Sequence, residues 1–423
     1  MASSPDVRQA ASVTVHSPMP GRIRMILVLG ALIALGPLTI DMYLPALPRI
    51  ADELSVSSSV SQLTLTGTLA GLALGQLIVG PLSDSLGRRR PLMAGIVVHM
   101  ASSVLCVLAP NIAVLGVARG LQGMGAAAAS VVAIAVVGDL FTGTVAATVM
   151  SRLMLVLGVA PVLAPSLGAA VLLHGSWHWV FVALVVLAGG LLALAALALP
   201  ETLPVSHRRP LRVGSILATY AELLRDSRFV ILVLVAALGM SGLFAYISAA
   251  PFVLQGHYGL DQQAFALVFA AGAIALIGST QFNVVLLRRF SPQHITVAAL
   301  SWSMLAGVVF VALTVAQVGG LMGFVLPVLT ILAGMGLVIP NAPAVALSRH
   351  PDAAGTAAAL LGAAQFGIGA AVAPVVGALG NGALVLASVM TTSMAIALAA
   401  LLLVGLRGED DSARPMAAVA EPA

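Results

Sequence analysis

Long apolar runs separated by short polar turns recur along this 423-residue sequence, and they restrict its possible folds more than any other feature. A helix of about 20 apolar residues matches the thickness of the hydrocarbon core of a bilayer. Only 8% of the residues are charged, whereas soluble domains carry roughly a quarter. So few charges cannot cover a water-facing surface of this size. The sequence therefore predicts an all-α integral membrane protein.

The runs predict twelve transmembrane helices, six in each half of the chain. The predicted spans cover residues 23–46, 59–82, 91–109, 112–137, 148–173, 179–199, 229–253, 263–287, 294–316, 320–346, 354–379 and 382–405. Two six-helix bundles, at 23–199 and 229–405, are thus joined by a polar linker at 200–228. The polar ends of the chain, 1–22 and 406–423, are expected to be tails, and the first of them to be disordered.

Arginine placement predicts the orientation, because loops rich in basic residues stay in the cytoplasm. All nineteen basic residues are arginines, and a cytoplasmic N-terminus puts seventeen of them in cytoplasmic segments. Arg49 is left outside and Arg119 within a span. We therefore expect a multi-pass protein of the inner membrane with the linker and both termini in the cytoplasm. Because the arginines follow the ends of the spans, the net charge of +4 does not indicate a nucleic-acid partner.

The two halves carry related motifs. GVAPVLAPSLGAA at 158–170 is similar to GIGAAVAPVVGAL at 367–379, and GMG occurs at 123–125 and again at 334–336. Two repeats of six spans are typical of secondary transporters, whose substrate site lies between the halves. Nucleotide-binding loops, metal-ligand clusters and nucleophile motifs are absent from the sequence. We therefore expect no enzyme activity, no ATP, no metal and no cofactor, with transport driven by a gradient.

Asp41 lies in the first span, within IDMYLPALP. A charged acid at the centre of a membrane helix costs on the order of 2.5–3.5 kcal/mol, so it usually faces a watery cavity or a partner. In a cavity it could bind and release a proton. The alternative is that Asp41 ends the helix at the outer interface before Pro45. Tyr43 either lines the same cavity or packs at that interface, and His99 in the third span either titrates or packs.

Arg119 begins RGLQGMGAA in the fourth span. Gln122, one turn later, lies on the same face of the helix. Gly123 and Gly125 allow another helix to approach closely. We expect Arg119 to point inward. The alternative is an arginine whose head group reaches the outer interface.

Two glycines and two prolines interrupt the fifth span at helical spacing: Gly158, Pro161, Pro165 and Gly168. Each proline removes an intrahelical hydrogen bond and bends the helix. The pattern predicts a kinked helix whose packing influences to which side of the membrane the cavity opens. Ordinary close packing is the alternative.

The segment GPLSDSLGRRRPL, residues 80–92, concentrates charge between the second and third spans. Topology explains its arginines, but acids contribute little to topology. Asp84 and Arg88 lie one turn apart, and Asp139 ends the fourth span on the same side. An acid at a helix C-terminus interacts unfavourably with the helix dipole. We therefore expect each of these acids to have a partner. We predict that these three residues form an interhelical charge network. A simple solvated turn is the alternative, above all for Asp139.

These motifs resemble those of the major facilitator superfamily. GPLSDSLGRRRPL matches the family's loop signature between spans two and three, and RGLQGMGAA matches its fourth-span signature. GVAPVLAPSLG is similar to the fifth-span signature of its antiporters, which marks exporters more than importers. With IDMYLPALP, the pattern resembles the twelve-span drug:proton antiporters of the bicyclomycin and chloramphenicol resistance type.

The resemblance implies the major facilitator fold, with two pseudo-symmetric six-helix bundles. It also implies that Asp41 couples protons to substrate and that Arg119 takes part in proton coupling. The network of Asp84, Arg88 and Asp139 would stabilise the outward-facing state. Gly138 departs from the pattern, because an arginine often precedes the acid there, and this leaves the membership of Asp139 open.

The expected function is proton-coupled antiport that exports small, mostly apolar antibiotics, phenicol or bicyclomycin-like, by alternating access. The expected partners are the drug, protons and the lipid bilayer, and the protein is expected to be a monomer. The predicted substrate cavity is lined by Asp41, Tyr43, Arg119, Gln122, Tyr246 and Phe252. The alternatives are export of a metabolite, sugar or polyamine, uptake instead of export, and, from another class, a non-transporting membrane sensor.

Overall fold

The computed structural model describes residues 21–208, 210–350 and 353–412, and within these ranges it contains helices and turns but no strand. Residues 1–20 and 413–423, which make up most of the two predicted tails, lie outside the described residues. Within the described ranges, twelve helices are long and apolar enough to cross a membrane. The predicted all-α membrane fold with twelve spans is therefore confirmed.

Ten of the spans are single helices, and two are composite. The first span, Ile23–Glu53, consists of α1 (Arg22–Asp41), a 3-10 turn and α2 (Leu47–Glu53), and the seventh, Ser227–His257, continues α9 (Ser227–Pro251) by a π-helical turn. The single helices are α3 (Ser58–Leu86), α4 (Arg89–Val107), α5 (Ile112–Leu140), α6 (Gly143–Leu172), α7 (His178–Ala198), α10 (Gln262–Leu286), α11 (Pro292–Val315), α12 (Gly320–Leu347), α13 (Ala354–Ala378) and α14 (Ala383–Ser412).

The linker contains a helix that the sequence analysis missed, α8 (Val213–Arg225). Its apolar residues recur at the helical spacing of three and four, which produces one apolar face. Leu223 is buried, whereas Leu217 and Leu224 are exposed. The Tyr220 hydroxyl donates to the Leu77 carbonyl of α3, 3.2 Å away, and α8 also contacts α9 and α13 of the second half. We call the side of the molecule that holds residues 201–226 the linker side, and the opposite side the far side.

The five main helix pairs of the first half each have a counterpart in the second. The pairs α1–α5, α1–α6, α3–α5, α4–α5 and α4–α7 recur as α9–α12, α9–α13, α10–α12, α11–α12 and α11–α14. The halves meet along two seams, α3 against α13 and α6 against α10, which are also equivalent to each other. The motif similarity in the sequence therefore corresponds to a structural repeat.

The repeated GMG motif lies where two helices approach each other closely. A Cβ atom on Gly123 would lie 2.1 Å from the Thr68 carbonyl oxygen, and one on Gly336 would lie 2.1 Å from the Leu276 carbonyl oxygen. Such distances exclude any larger residue without a shift of the backbone. In both halves, the absence of a side chain at this motif permits backbone-to-backbone packing of the central helices.

Candidate functional site

A cavity of about 520 Å³ lies between the two halves, with walls from α1, α3, α5, α6, α9 and α13. Asp41 and Ile247 lie at its deep end, while Gly80 and Gly355 lie near the linker-side ends of their helices. Most of the wall is apolar, with side chains such as Ile33, Leu72, Ile134, Leu243, Phe244 and Phe366. The cavity therefore runs from mid-membrane toward the linker side.

Side-chain amides join the two halves on the far side. The Gln62 Nε2 atom of α3 donates to the Ser248 carbonyl at 2.8 Å and to Asn381 Oδ1 at 2.6 Å. Gln255 donates to the Pro45 carbonyl at 3.4 Å. All three contacts cross from one half to the other. The structure is thus closed on the far side and open toward the linker side.

Asp41 is the last residue of α1, and only 3% of it is exposed. Its Oδ1 atom is fully buried and has no hydrogen-bond partner among the residues that the structure describes. The carboxyl group also borders a second, smaller cavity between α6, α9, α10 and α12, whose lining includes Pro161 and Tyr246. A charged carboxylate without a partner is unstable by several kcal/mol in such surroundings. A neutral carboxyl group, or one that binds a ligand, fits this position.

Arg119 points into the first bundle and is fully buried. Its Nη1 atom donates to the Thr39 carbonyl at 3.0 Å and to Gln122 Oε1 at 2.6 Å, and its guanidinium carbon lies 4.2 Å from the centre of the Tyr43 ring. The Nε and Nη2 atoms have no hydrogen-bond partner among the described residues. These three predicted cavity residues, Tyr43, Arg119 and Gln122, lie behind α1, and the wall of the cavity is formed without them.

Further polar side chains extend this buried cluster. Gln122 donates to Ser103 Oγ at 2.7 Å, and the Thr39 hydroxyl lies 2.8 Å from His99 Nε2. The Tyr43 and Thr64 hydroxyls contact each other. His99 is therefore a buried, hydrogen-bonded residue of the bundle interior. Thr39, Thr64 and Ser103 were not predicted, because small hydroxyl residues are too common in membrane helices to be singled out.

The predicted charge network forms around Arg88 at the turn between α3 and α4. Arg88 Nη1 lies 2.5 Å from Asp84 Oδ1, and its Nε and Nη2 atoms donate to the two oxygens of Asp139 at 2.8 and 3.2 Å. Burial lowers the pKa of Arg88, but hydrogen bonds to Asp139 and Asp84 outweigh it, so this pKa lies above its ordinary value. The structure thus brings all three residues together, Asp139 included, in a form that is open toward the linker side. With the linker in the cytoplasm this form is inward-facing, so the network is not specific to the outward-facing state that the resemblance implies.

Two residues of the linker join this network and were not predicted. Glu201 Oε1 accepts the Arg88 backbone N–H at 2.8 Å, and the Thr202 hydroxyl donates to Asp139 at 2.8 Å. Burial raises the pKa of Glu201, but the N–H groups it accepts and the Arg208 charge bring it below its ordinary value. Gly87 has a φ of 90°, and a Cβ there would lie 2.4 Å from Glu201 Oε2. The turn therefore requires glycine beside the linker carboxylate.

Comparison with known proteins identifies the family. The model of the Major Facilitator Superfamily matches residues 27–374. The chain belongs to this superfamily. YdgK of Bacillus subtilis, described as an uncharacterized MFS-type transporter, is 38% identical to this chain over 370 residues. The alignment covers 86% of this chain and 91% of YdgK.

Two further relatives of this facilitator carry resistance names. The bicyclomycin resistance protein homolog of Haemophilus influenzae is 31% identical over 82% of this chain and 86% of that protein. The chloramphenicol resistance protein of Pseudomonas aeruginosa is 32% identical, over 79% of this chain and 79% of that protein. Among solved structures, a partially occluded inward-open form of the xylose transporter XylE from E. coli aligns over 91% of this chain and 97% of its own, with a TM-score of 0.70 and 14% identity. That likeness shows the shared fold.

In this facilitator the fifth span, α6, packs between the two halves. Pro161 lines both cavities, and Pro165 is buried. A Cβ on Gly158 would lie 3.2 Å from Ile277 Cγ1 of α10, and one on Gly168 would lie 1.9 Å from the Met42 carbonyl oxygen. The middle of the helix therefore contacts the second half, and its far-side end contacts the segment next to Asp41.

The two remaining predicted cavity residues lie apart. Tyr246 stacks on Phe269, with ring centroids 5.3 Å apart, and lines the smaller cavity together with Asp41. Phe252 begins the π-helical turn after α9 and lines neither of these cavities. Tyr246 is thus close to the acid, and Phe252 belongs to the far-side end of the seventh span.

The packing of α6 predicts different outcomes for its two glycines. Gly168→Ala places a methyl group against the backbone of Met42, which cannot rotate away, and such overpacking typically costs about 1–3 kcal/mol. We expect the melting temperature of the detergent-purified protein to fall by several degrees. The methyl group of Gly158→Ala meets only the flexible Ile277 side chain, so this substitution should change the melting temperature little. Gly190→Ala, which meets nothing within 4 Å, is the control, and a Gly168→Ala protein as stable as that control would contradict the packing shown here.

Proposed function

We propose that this facilitator exports small, mostly apolar antibiotics across the inner membrane in exchange for protons, and that its linker side is cytoplasmic. One observation carries the proposal: the carboxyl group of Asp41 lies at the deep end of the cavity between the halves, and its Oδ1 atom has no hydrogen-bond partner among the described residues. Because a bare charge is unstable there, the group exchanges a proton for a bound substrate. The resistance names of two relatives support an antibiotic as that substrate.

The cycle begins in the state that the structure shows. Substrate enters the cavity from the linker side and displaces the proton of Asp41 into the cytoplasm. The halves then rock about the α3–α13 and α6–α10 seams, which breaks the amide contacts of Gln62 and Gln255 on the far side. Protonation of Asp41 from outside releases the substrate, and the protein returns to the linker-side-open state. The proton gradient supplies the free energy, with no cofactor and no ATP.

The apolar walls favour the same class of substrate. Side chains such as Leu72, Leu243 and Phe244 offer dispersion contacts but no hydrogen bonds, so strongly polar sugars would lose most of their hydration without compensation. A mostly apolar antibiotic loses little. The cavity volume of about 520 Å³ lies within the range of small-molecule sites.

Everted membrane vesicles with a pH-sensitive dye test this function. Once respiration has acidified the vesicle interior, addition of chloramphenicol or bicyclomycin should collapse part of the pH gradient, and only in vesicles that contain the protein. Sugars and polyamines are added in parallel. A response to one of these metabolites and to no antibiotic would replace drug export by metabolite export, and drug accumulation without any proton movement would contradict the antiport.

A further inference from the structure

Two glutamines line the cavity on the seam between the halves, and nothing above gives them a role. Gln76 of α3 lies one helical turn from both Leu72 and Gly80, which also line the wall. Gln365 of α13 lies one turn from Gly362 on the opposite side of the seam. Each half thus contributes one carboxamide to the same wall.

The two amides lie at neighbouring levels of the cavity. The Gln76 side chain reaches across the seam, because a Cβ on Gly362 would lie 3.2 Å from its Oε1 atom. Gln365 lies three residues further along α13, about 4.5 Å deeper at the ordinary helical rise. Asp41 borders the second cavity beside Pro161 and Tyr246, on the side of α6 and α10. The carboxyl group of Asp41 and the two amides therefore lie in different parts of the cavity.

Neither carboxamide hydrogen-bonds to another residue in the described part of the chain. Both are only partly exposed. Ser130, another polar side chain on the wall, already donates to the Ala126 carbonyl of its own helix. Each glutamine keeps two N–H donors and an acceptor oxygen for whatever fills the cavity. A ligand without polar groups would displace water from both amides and leave them unsatisfied.

We propose that Gln76 and Gln365 determine substrate specificity, and that the substrate is a mostly apolar molecule with an amide or hydroxyl group apart from the group that meets Asp41. This inference rests on the proposed function, since it takes the cavity as the substrate site. A site that provides hydrogen bonds discriminates strongly against analogues that lack the matching group. The amides therefore select for hydrogen-bonding capacity, while the apolar wall sets the size.

Binding of two probes to the purified full-length protein in lipid nanodiscs tests the assignment. Chloramphenicol carries an amide and two hydroxyl groups, whereas tetraphenylphosphonium has no hydrogen-bond donor or acceptor. Gln76→Leu and Gln365→Leu should each weaken chloramphenicol binding about tenfold, the effect of one ordinary hydrogen bond. Tetraphenylphosphonium binding should stay the same or tighten. Gln293→Leu, at an exposed glutamine on the linker side, is the control for the substitution itself.

Several results would overturn the inference. Unchanged chloramphenicol binding in both variants removes the role of the amides, and an equal loss for both probes shows that they only support the fold. Wild-type protein that binds tetraphenylphosphonium alone, or neither probe, contradicts the substrate class. Proton release on binding is recorded in the same samples. If chloramphenicol binding depends on the glutamines but releases no proton, the antiport is refuted and this inference stands. If binding releases a proton but does not depend on the glutamines, this inference is refuted and the antiport stands.

Discussion

Asp41→Asn is expected to abolish proton-coupled drug export while the protein still inserts and folds. Asparagine has the same size and shape as aspartate but cannot gain or lose a proton near neutral pH. Substrate then has no proton to displace, and protonation of residue 41 from outside can no longer drive the release of the substrate. Cells that express the variant should be as drug-sensitive as cells without the protein, and their everted vesicles should show no drug-dependent change of the pH gradient.

The folding of this variant is not expected to suffer. The Asp41 Oδ1 atom has no hydrogen-bond partner among the described residues, so the substitution breaks no contact there. Asp52→Asn is the matched control, because Asp52 lies in the same span but is exposed on the far side. It should export like wild type. Full resistance in the Asp41→Asn variant, at equal amounts in the membrane, would refute the role of Asp41.

Arg88→Ala is expected to reduce export at least tenfold, a larger effect than that of any other arginine of its turn. Arg88 connects the ends of α3 and α5 through Asp84 and Asp139, and its backbone N–H binds Glu201 of the linker. Without the guanidinium, Asp139 loses its hydrogen bonds to Arg88 and keeps the one from Thr202. The Asp139 side chain is only 14% exposed. Removing one partner of such a pair is strongly destabilising, because the other charge stays poorly solvated.

Arg90→Ala separates this network from topology. Arg90 lies in the same turn and carries the same charge, but it is exposed and two residues away from the network. Its removal should leave export within about twofold of wild type, since exposed charges contribute little. Export and the amount of inserted protein are measured together for both variants. Equal losses in Arg88→Ala and Arg90→Ala would mean that the turn acts only through its positive charge.

The sequence predicted the spans well because the bilayer imposes one rule on all of them. An apolar run of about 20 residues between polar turns leaves little choice of structure. The helix α8 was missed because the arginines around it, from Arg208 to Arg228, marked the segment as polar, whereas its apolar face is visible only at helical spacing. The partners of the charge network were predicted where they lie in signature motifs. Glu201 and Thr202 lie more than 60 residues from Asp139 and had no such signal.

The wall of the cavity was harder to predict, for a physical reason. A membrane helix is apolar on the lipid side and on the packed side, so its amphipathicity does not reveal which face meets the cavity. Arg119 is buried, but it lies with Tyr43 and Gln122 inside the first bundle and not on the wall of the cavity. Gln76 and Gln365 were overlooked because a single glutamine in a span gives no periodic pattern. Only the packing of the two halves places them on one wall.

Proton release on drug binding tests the central role of Asp41 most directly. Purified protein in weakly buffered detergent is mixed with saturating chloramphenicol or bicyclomycin, and the pH of the solution is recorded with an indicator dye. The wild-type protein and the Asp52→Asn control should release protons, and Asp41→Asn should bind the drug without releasing any. Equal proton release by Asp41→Asn, or drug binding to wild type without release, would contradict the exchange of a proton for a drug at this carboxyl group.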